Sequence, residues 1–227
     1  MIRSDPAPII LMDLFRPRTM LDFLSQTLSN FKHTGAVWPS GRRLAREMTA
    51  PLRESGRPRR ILEVGPGTGP FTAKILTHLR PGDEFHVVEI NPFFCKVIEK
   101  RHLAPFRKRR PDIEVALHEA PIEDAPIEGP FDHIICGLPF NNFPPPLVRG
   151  IFKRMMGLLA EDGDLAYFEY AAVRVMKAPV TSSASRRNLR RIDAHAKSLH
   201  RRHRGSRRLV MANFPPAIAV RLRHRDP

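Results

Sequence analysis

The stretch Ile61-Leu62-Glu63-Val64-Gly65-Pro66-Gly67-Thr68-Gly69 decides the fold. An apolar strand runs straight into glycines at alternate positions, and Phe71-Thr72-Ala73-Lys74-Ile75-Leu76 then begins a helical pattern. Strand, glycine turn and helix make the first part of a βαβ unit. In such a unit, missing side chains let the backbone close on a ligand, and the helix start offers free N–H groups to an acceptor.

Two acids narrow the ligand. Glu63 stands inside the strand, and Glu89 ends the next apolar run, Glu84-Phe85-His86-Val87-Val88-Glu89. An acid at the second position accepts from the ribose hydroxyls of an adenosine cofactor. The pyrophosphate spacing Gly-x-Gly-x-x-Gly is not met, because Gly69 comes one residue early, and Glu63 would repel a phosphate. A cofactor with a cationic, amino-acid-like end suits an acidic turn, which points to S-adenosylmethionine rather than NAD.

The 227 residues suit one α/β domain with small additions. Lys and Arg number 38 against 23 acids, a net charge of +15. That surplus implies an anionic partner, either nucleic acid or an anionic membrane surface. Cys95 and Cys136 lie far apart and in no metal-ligand spacing, so a reduced, cytosolic protein with core-packed thiols and no metal is expected. No apolar run is long enough to cross a bilayer, and Ile9-Ile10-Leu11-Met12 is stopped at once by Asp13, too soon for a signal peptide.

Residues 1–8 read as disordered. From Pro17 an amphipathic helix is expected, with Leu21, Leu24, Leu28 and Phe31 on one face, buried either against the domain or in a membrane interface. His33 to Ser40 reads as a turn-rich lid carrying Trp38, with Ser40 as the N-cap of a helix over 41–52. Arg57-Pro58-Arg59-Arg60 reads as a linker. There follow strand 60–64, helix 69–79, strand 84–89, helix 92–104, strand 112–117, strand 131–136, helix 146–160 and strand 164–170. Two antiparallel strands, 208–212 and 217–222, close the sheet. The fold class is therefore α/β, a Rossmann-like, mostly parallel seven-stranded sheet with an antiparallel last strand. Residues 1–56 form a docking and lid segment and residues 57–227 the α/β domain, with a basic insertion over about 182–208. Residues 186–208 hold ten Lys or Arg against one acid, Asp193, a density that suits lipid head groups or an RNA backbone.

The second informative stretch follows the fourth strand: Gly137-Leu138-Pro139-Phe140-Asn141-Asn142-Phe143-Pro144-Pro145-Pro146. A proline-stiffened loop with aromatic and amide groups, at the sheet edge where open α/β sheets bind ligands, either positions a substrate or starts the next helix. Transfer to an amine nitrogen can use such a loop, since amide acceptors orient the nitrogen and an aromatic face favours developing positive charge. Glu119, in the loop after the third strand, is a candidate for the adenine amine or a solvated acid.

Glu63 to Gly69, Val88-Glu89-Ile90-Asn91 and Gly137-Leu138-Pro139-Phe140 together resemble class I S-adenosylmethionine-dependent methyltransferases. Two of their families share this set, the rRNA adenine dimethyltransferases and the bacterial phospholipid N-methyltransferases. The sequence resembles the second more closely. The rRNA enzymes carry Gln-Asn-Phe-Leu before the glycine turn, Asn-Leu-Pro-Tyr after the fourth strand, and an added helical RNA-binding domain. Val210-Met211-Ala212-Asn213-Phe214-Pro215-Pro216-Ala217 resembles the Asn-x-Pro-Pro-Ala close of the phospholipid enzymes. A related family that methylates ornithine lipids stays open.

The resemblance implies that Trp38, Ser40, Glu63, Gly65, Pro66, Gly67, Thr68, Gly69, Glu89, Ile90, Asn91, Glu119, Ala120 and Gly137 surround the cofactor. Gly137, Leu138, Pro139, Phe140, Asn141 and Tyr170 would surround the acceptor amine, with Tyr170, Glu169 or water taking its proton. It further implies a monomer, peripheral on the cytoplasmic membrane, that converts phosphatidylethanolamine towards phosphatidylcholine, with RNA adenine or an ornithine lipid as the other acceptors.

Overall fold

A computed structural model describes residues 39–53, 57–140, 143–170, 203–211 and 216–224. The helix expected from Pro17, Trp38, Asn141, the side chain of Ser40 and most of the basic tract lie outside the described residues. Helix α1 spans Pro39–Met48, and a 3₁₀ turn follows at Ala50–Arg53. Proline suits a first helical position because its φ is preset and its missing N–H would have had no partner there. Ser40 therefore lies within the first turn and is not the N-cap expected. Leu44, Ala45, Met48 and Leu52 are buried, while Arg42, Arg43 and Arg46 face outwards.

The strands are β1 (Arg60–Val64), β2 (Glu84–Glu89), β3 (Glu114–Glu119), β4 (Phe131–Cys136), β5 (Leu159–Tyr170), β6 (Arg204–Val210) and β7 (Ala217–Arg223). They form one sheet in the order β3-β2-β1-β4-β5-β7-β6. The pairs β1–β2, β1–β4, β2–β3 and β4–β5 are parallel. Strand β7 runs against both its neighbours, β5 and β6, so the expected mixed sheet with an antiparallel last strand is what forms.

The inner strands are apolar on both faces, as a sheet covered on both sides requires. Ile61, Phe85, Val87, Ile135, Ala166 and Phe168 share a cluster with α1 and with Phe71 and Ile75 of helix α2 (Pro70–Ile75). Their alternate neighbours point the other way. There Tyr167 meets Phe152 of helix α5 (Pro145–Leu158), ring centroids 5.0 Å apart.

Several boundaries depart from expectation for visible reasons. Helix α2 stops at Ile75 rather than 79. Thr77 and His78 N–H groups bond back only three residues, to the carbonyls of Lys74 and Ile75, and the Thr77 hydroxyl also takes the Lys74 carbonyl at 2.8 Å. The next helix does not stop at 104. Helix α3 (Pro92–Ile98) passes through a π-turn, Glu99–Leu103, into α4 (Ala104–Arg109). The wider turn comes just before Pro105, where a regular helix would be pressed by the proline ring. Strand β3 is shifted by two residues, in register with β2 from Glu84↔Glu114 to Glu89↔Glu119. Strand β5 starts at Leu159 and β6 at Arg204, earlier than expected, so the end of the basic tract is sheet.

Nor is Arg59 part of a linker. It is 2% exposed and donates to Asp83 Oδ2 at 2.6 Å, to the Leu52 carbonyl at 2.6 Å and to the His78 carbonyl at 2.9 Å. Asp83 also accepts from the N–H groups of Arg59 and Arg80. This buried pair ties the starts of β1 and β2 at the edge opposite the glycine turn.

Candidate active site

Strand β1 lies between β2 and β4: the chain runs outwards on one side of it through β2 and β3, then crosses to the other side for β4 and β5. The crevice beyond the carboxyl ends of those strands is where such sheets hold ligands. Its walls are set by backbone. The Gly137 N–H donates to the Val64 carbonyl at 2.8 Å, and the Gly65 N–H to the Val88 carbonyl at 2.9 Å. A Cβ on Gly137 would sit 2.5 Å from the Gly65 carbonyl oxygen, and one on Gly65 would overlap Leu138. These two residues are glycine because the exits of β1 and β4 pack on each other. Gly67 differs: its φ is +58°, and an added Cβ would meet nothing within 4 Å. Of the turn glycines the sequence assigns to a ligand, Gly67 is the one that leaves open space.

Glu89 is 4% exposed at the end of β2. Its carboxylate accepts from the Gly67 N–H at 3.1 Å and the Asn91 N–H at 2.9 Å. Burial pushes its pKa up, opposed by those N–H groups and that of Ile90. Asn91 caps α3 by accepting from the Phe93 N–H at 2.9 Å. The Ala120 N–H donates to the Glu89 carbonyl at 3.1 Å, and exposed Glu119, the last residue of β3, stands opposite Glu89 in register. Gly67, Glu89, Ile90, Asn91, Glu119 and Ala120 thus meet at one edge, with Pro66 accepting from the Gly69 N–H and Thr68 exposed.

Glu63 lies below the turn, fully buried. The Thr72 hydroxyl donates to its Oε2 at 2.7 Å, and its Oε1 has no partner among the described residues. Desolvation raises its pKa to about 8, against the Thr72 hydrogen bonds and with a smaller push from Glu89. At neutral pH this carboxyl holds a proton, and a nearby cation would favour its release. A buried oxygen without a partner, an open glycine and a ribose-type acid fit a cofactor with a cationic end.

The loop after β4 is only partly as the sequence suggests. Phe140 is 5% exposed, its centroid 4.7 Å from that of Phe152 and 6.0 Å from that of Tyr167, so its ring faces the core and not an acceptor. The cause is a tight turn in which the Phe140 N–H bonds the Leu138 carbonyl and the Phe143 N–H bonds that of Phe140. The prolines after Pro144 start α5. Gly137, Leu138 and Pro139 remain half-buried at the edge. Tyr170 ends β5 on the Phe168 face, its hydroxyl pKa raised by burial. Glu169 points to the opposite face, where it accepts from the Tyr167 hydroxyl at 3.2 Å and from Arg207 at 2.8 Å. Cys95 and Cys136 are free, buried thiols, each pushed up to about 12 by desolvation.

Residues 62–165, which carry the glycine turn, Glu89 and the Gly137–Pro139 stretch, match a family described as "Methyltransferase domain". That match takes in a little under half of the chain, which over this stretch is similar to methyltransferase domains. A curated relative, the ornithine lipid N-methyltransferase of Singulisphaera acidiphila, is 31% identical over 108 residues, 45% of this chain. The chain spans about half of that relative, 53% of its length.

Among solved structures, the 1,6-didemethyltoxoflavin-N1-methyltransferase of Burkholderia thailandensis, bound to S-adenosylhomocysteine, superposes with a TM-score of 0.62 at 17% identity. That match covers 98% of this chain and 94% of the other. The O-methyltransferase TomG of Streptomyces achromogenes, in complex with S-adenosylmethionine, gives 0.59 at 17% identity, covering 90% and 89%. At these identities the likeness speaks for the fold.

Two residues at this edge escaped sequence reasoning. Thr72 holds Glu63, a pairing hinted at only by the helix that follows the turn. His102 lies against Gly69, and nothing in the sequence signals it: a Cβ on Gly69 would come 2.5 Å from His102 Nε2.

Proposed function

We propose that the protein transfers a methyl group from S-adenosylmethionine to an amine carried by a membrane lipid. The observation that supports this most directly is the likeness to the ornithine lipid N-methyltransferase of Singulisphaera acidiphila. That relative favours an ornithine lipid as acceptor, whereas the loop and closing motifs of the sequence resemble enzymes of phosphatidylethanolamine. Both lipids present a primary amine. Docking on an anionic membrane surface belongs to the same proposal and draws its support from the net charge of +15.

When bound, the cofactor supplies a methyl group on a positively charged sulfur. Glu89 would hold the ribose hydroxyls, Gly67 would admit the cofactor to the backbone, and Glu63 would place a carboxyl beneath its cationic end. Holding the amine in line accounts for most of the catalysis, a contribution of roughly 7–11 kcal/mol in favourable systems. A lysine-like amine has a pKa of about 10, so its neutral form is scarce at pH 7 and a proton must leave. Tyr170 is a poor acceptor, because burial keeps its hydroxyl protonated. Glu169 is engaged by Tyr167 and Arg207. Water at the edge of the sheet takes the proton.

The test supplies labelled S-adenosylmethionine to the protein with vesicles containing ornithine lipid, vesicles containing phosphatidylethanolamine, and ribosomal RNA. Label in one of the lipids is the expected result. Label in RNA with none in either lipid would overturn the reading.

A further inference from the structure

The helix after β2 contains an irregularity that the cofactor edge alone does not call for. Glu99–Leu103 is a π-turn between two α-helical segments, a rare element found mostly as single turns inside α-helices and frequently at functional sites. His102 lies within it.

The imidazole of His102 lies against the glycine turn. A Cβ built on Gly69 would come 2.5 Å from Nε2 and 2.7 Å from Cδ2 of this ring, closer than any real side chain could approach. The ring also hydrogen-bonds the backbone of Thr68, an interaction that opposes the lowering of its pKa by burial. His102 therefore touches two consecutive residues of the turn, Thr68 and Gly69, next to Gly67, whose N–H donates to Glu89 at 3.1 Å.

The turn is also held there by backbone, the Gly69 N–H donating to the Pro66 carbonyl at 3.0 Å and the Gly69 carbonyl accepting from the Ala73 N–H at 2.9 Å. Gly69 is the N-cap of α2, with a left-handed φ of 90° and no side-chain cap, and Pro70 follows it without an N–H. The left-handed conformation excludes other residues at Gly69, and the absence of a side chain makes room for the imidazole. The two features depend on each other.

We propose that His102 is a positioning residue for the cofactor turn, holding the Thr68–Gly69 peptide so that Gly67 stays in reach of Glu89 and open to the cofactor. This rests on the assignment of that edge to S-adenosylmethionine. The ring also forms part of a groove of about 490 Å³ shared with Leu76, Arg101 and Phe106, so a merely space-filling role is the competing explanation. Three variants separate bulk from hydrogen bonding. His102→Leu fills the space without a donor, His102→Gln keeps a donor, and His102→Ala removes both.

Two measurements are made on each. In the ligand-free protein, amide hydrogen exchange is followed over residues 65–72. Binding of S-adenosylhomocysteine is then titrated by calorimetry, with melting temperature as the control for folding. The expected result is faster exchange and about tenfold weaker binding in His102→Leu and His102→Ala, with both largely restored in His102→Gln. His102→Leu binding as tightly as the wild type, with unchanged exchange, would overturn the proposal. A wild-type protein that ignores S-adenosylhomocysteine would instead defeat the cofactor assignment, and the exchange measurement would still decide whether His102 holds the turn.

Discussion

Replacing Glu63 with Gln should change how stability depends on pH more than how large it is at any one pH. The carboxyl is fully buried, and its pKa rises from 4.5 to about 8 on folding. The folded protein thus holds this proton more tightly than the unfolded chain does. The associated stability is complete below about pH 4.5 and is lost as pH climbs through the range up to about 8. Summing both titrations, the loss between about pH 5.5 and about pH 7.5 comes to about 2–3 kcal/mol. The Glu63→Gln variant isolates this effect, since the amide keeps the shape and an acceptor for Thr72 but carries no titrating proton.

For a domain of this size that difference corresponds to roughly 5–10 °C in melting temperature. Thermal or urea unfolding of wild type and Glu63→Gln across this window should give curves that diverge by that amount, the wild type falling faster. Curves that stay parallel would show that Glu63 does not hold its proton in the folded state, and would refute the reasoning from its burial.

Asp83→Ala should destabilise the fold by about 3–5 kcal/mol in urea unfolding, because Arg59 would be left buried with its charge unpaired. Glu89→Ala should weaken S-adenosylhomocysteine binding at least about tenfold in calorimetry while the protein stays folded, since the carboxylate holds both Gly67 and Asn91. Gly65→Ala should destabilise through overlap with Leu138 and through a φ of +67°, and adding Leu138→Ala should recover part of the loss. Gly67→Ala has only the backbone penalty, about 1–2 kcal/mol by denaturation, because the space beside it is open.

The parts of the site that could be read in the sequence are those set by spacing along the chain. Glu89 could be placed because a strand of fixed rise carries it to the same edge as the glycine turn. The sheet could be drawn because apolar runs alternate with helical ones. What escaped depends on contacts that sequence distance hides. The reason for Gly65 is Leu138, far along the chain, and the reason for Gly69 is His102, which reaches it only through a π-turn. Arg59 looks like one more residue of a basic stretch until Asp83 is seen beside it. Phe140 was legible as an aromatic in a loop, but the turn that rolls its ring into the core was not.

The placement of β7 bears on how the chain is made. Strand β6 has β7 as its strand neighbour, and β5 reaches β6 only through β7. As the ribosome releases the chain, residues 204–210 emerge with no place in the sheet until 217–223 follow. The short step from Val210 to its partner Ala217 lets the two strands form a hairpin first and dock as a unit along β5. Until then β5 is an open edge carrying unpaired backbone groups, so premature release of the chain before residue 217 would leave a sheet able to recruit strands from other molecules.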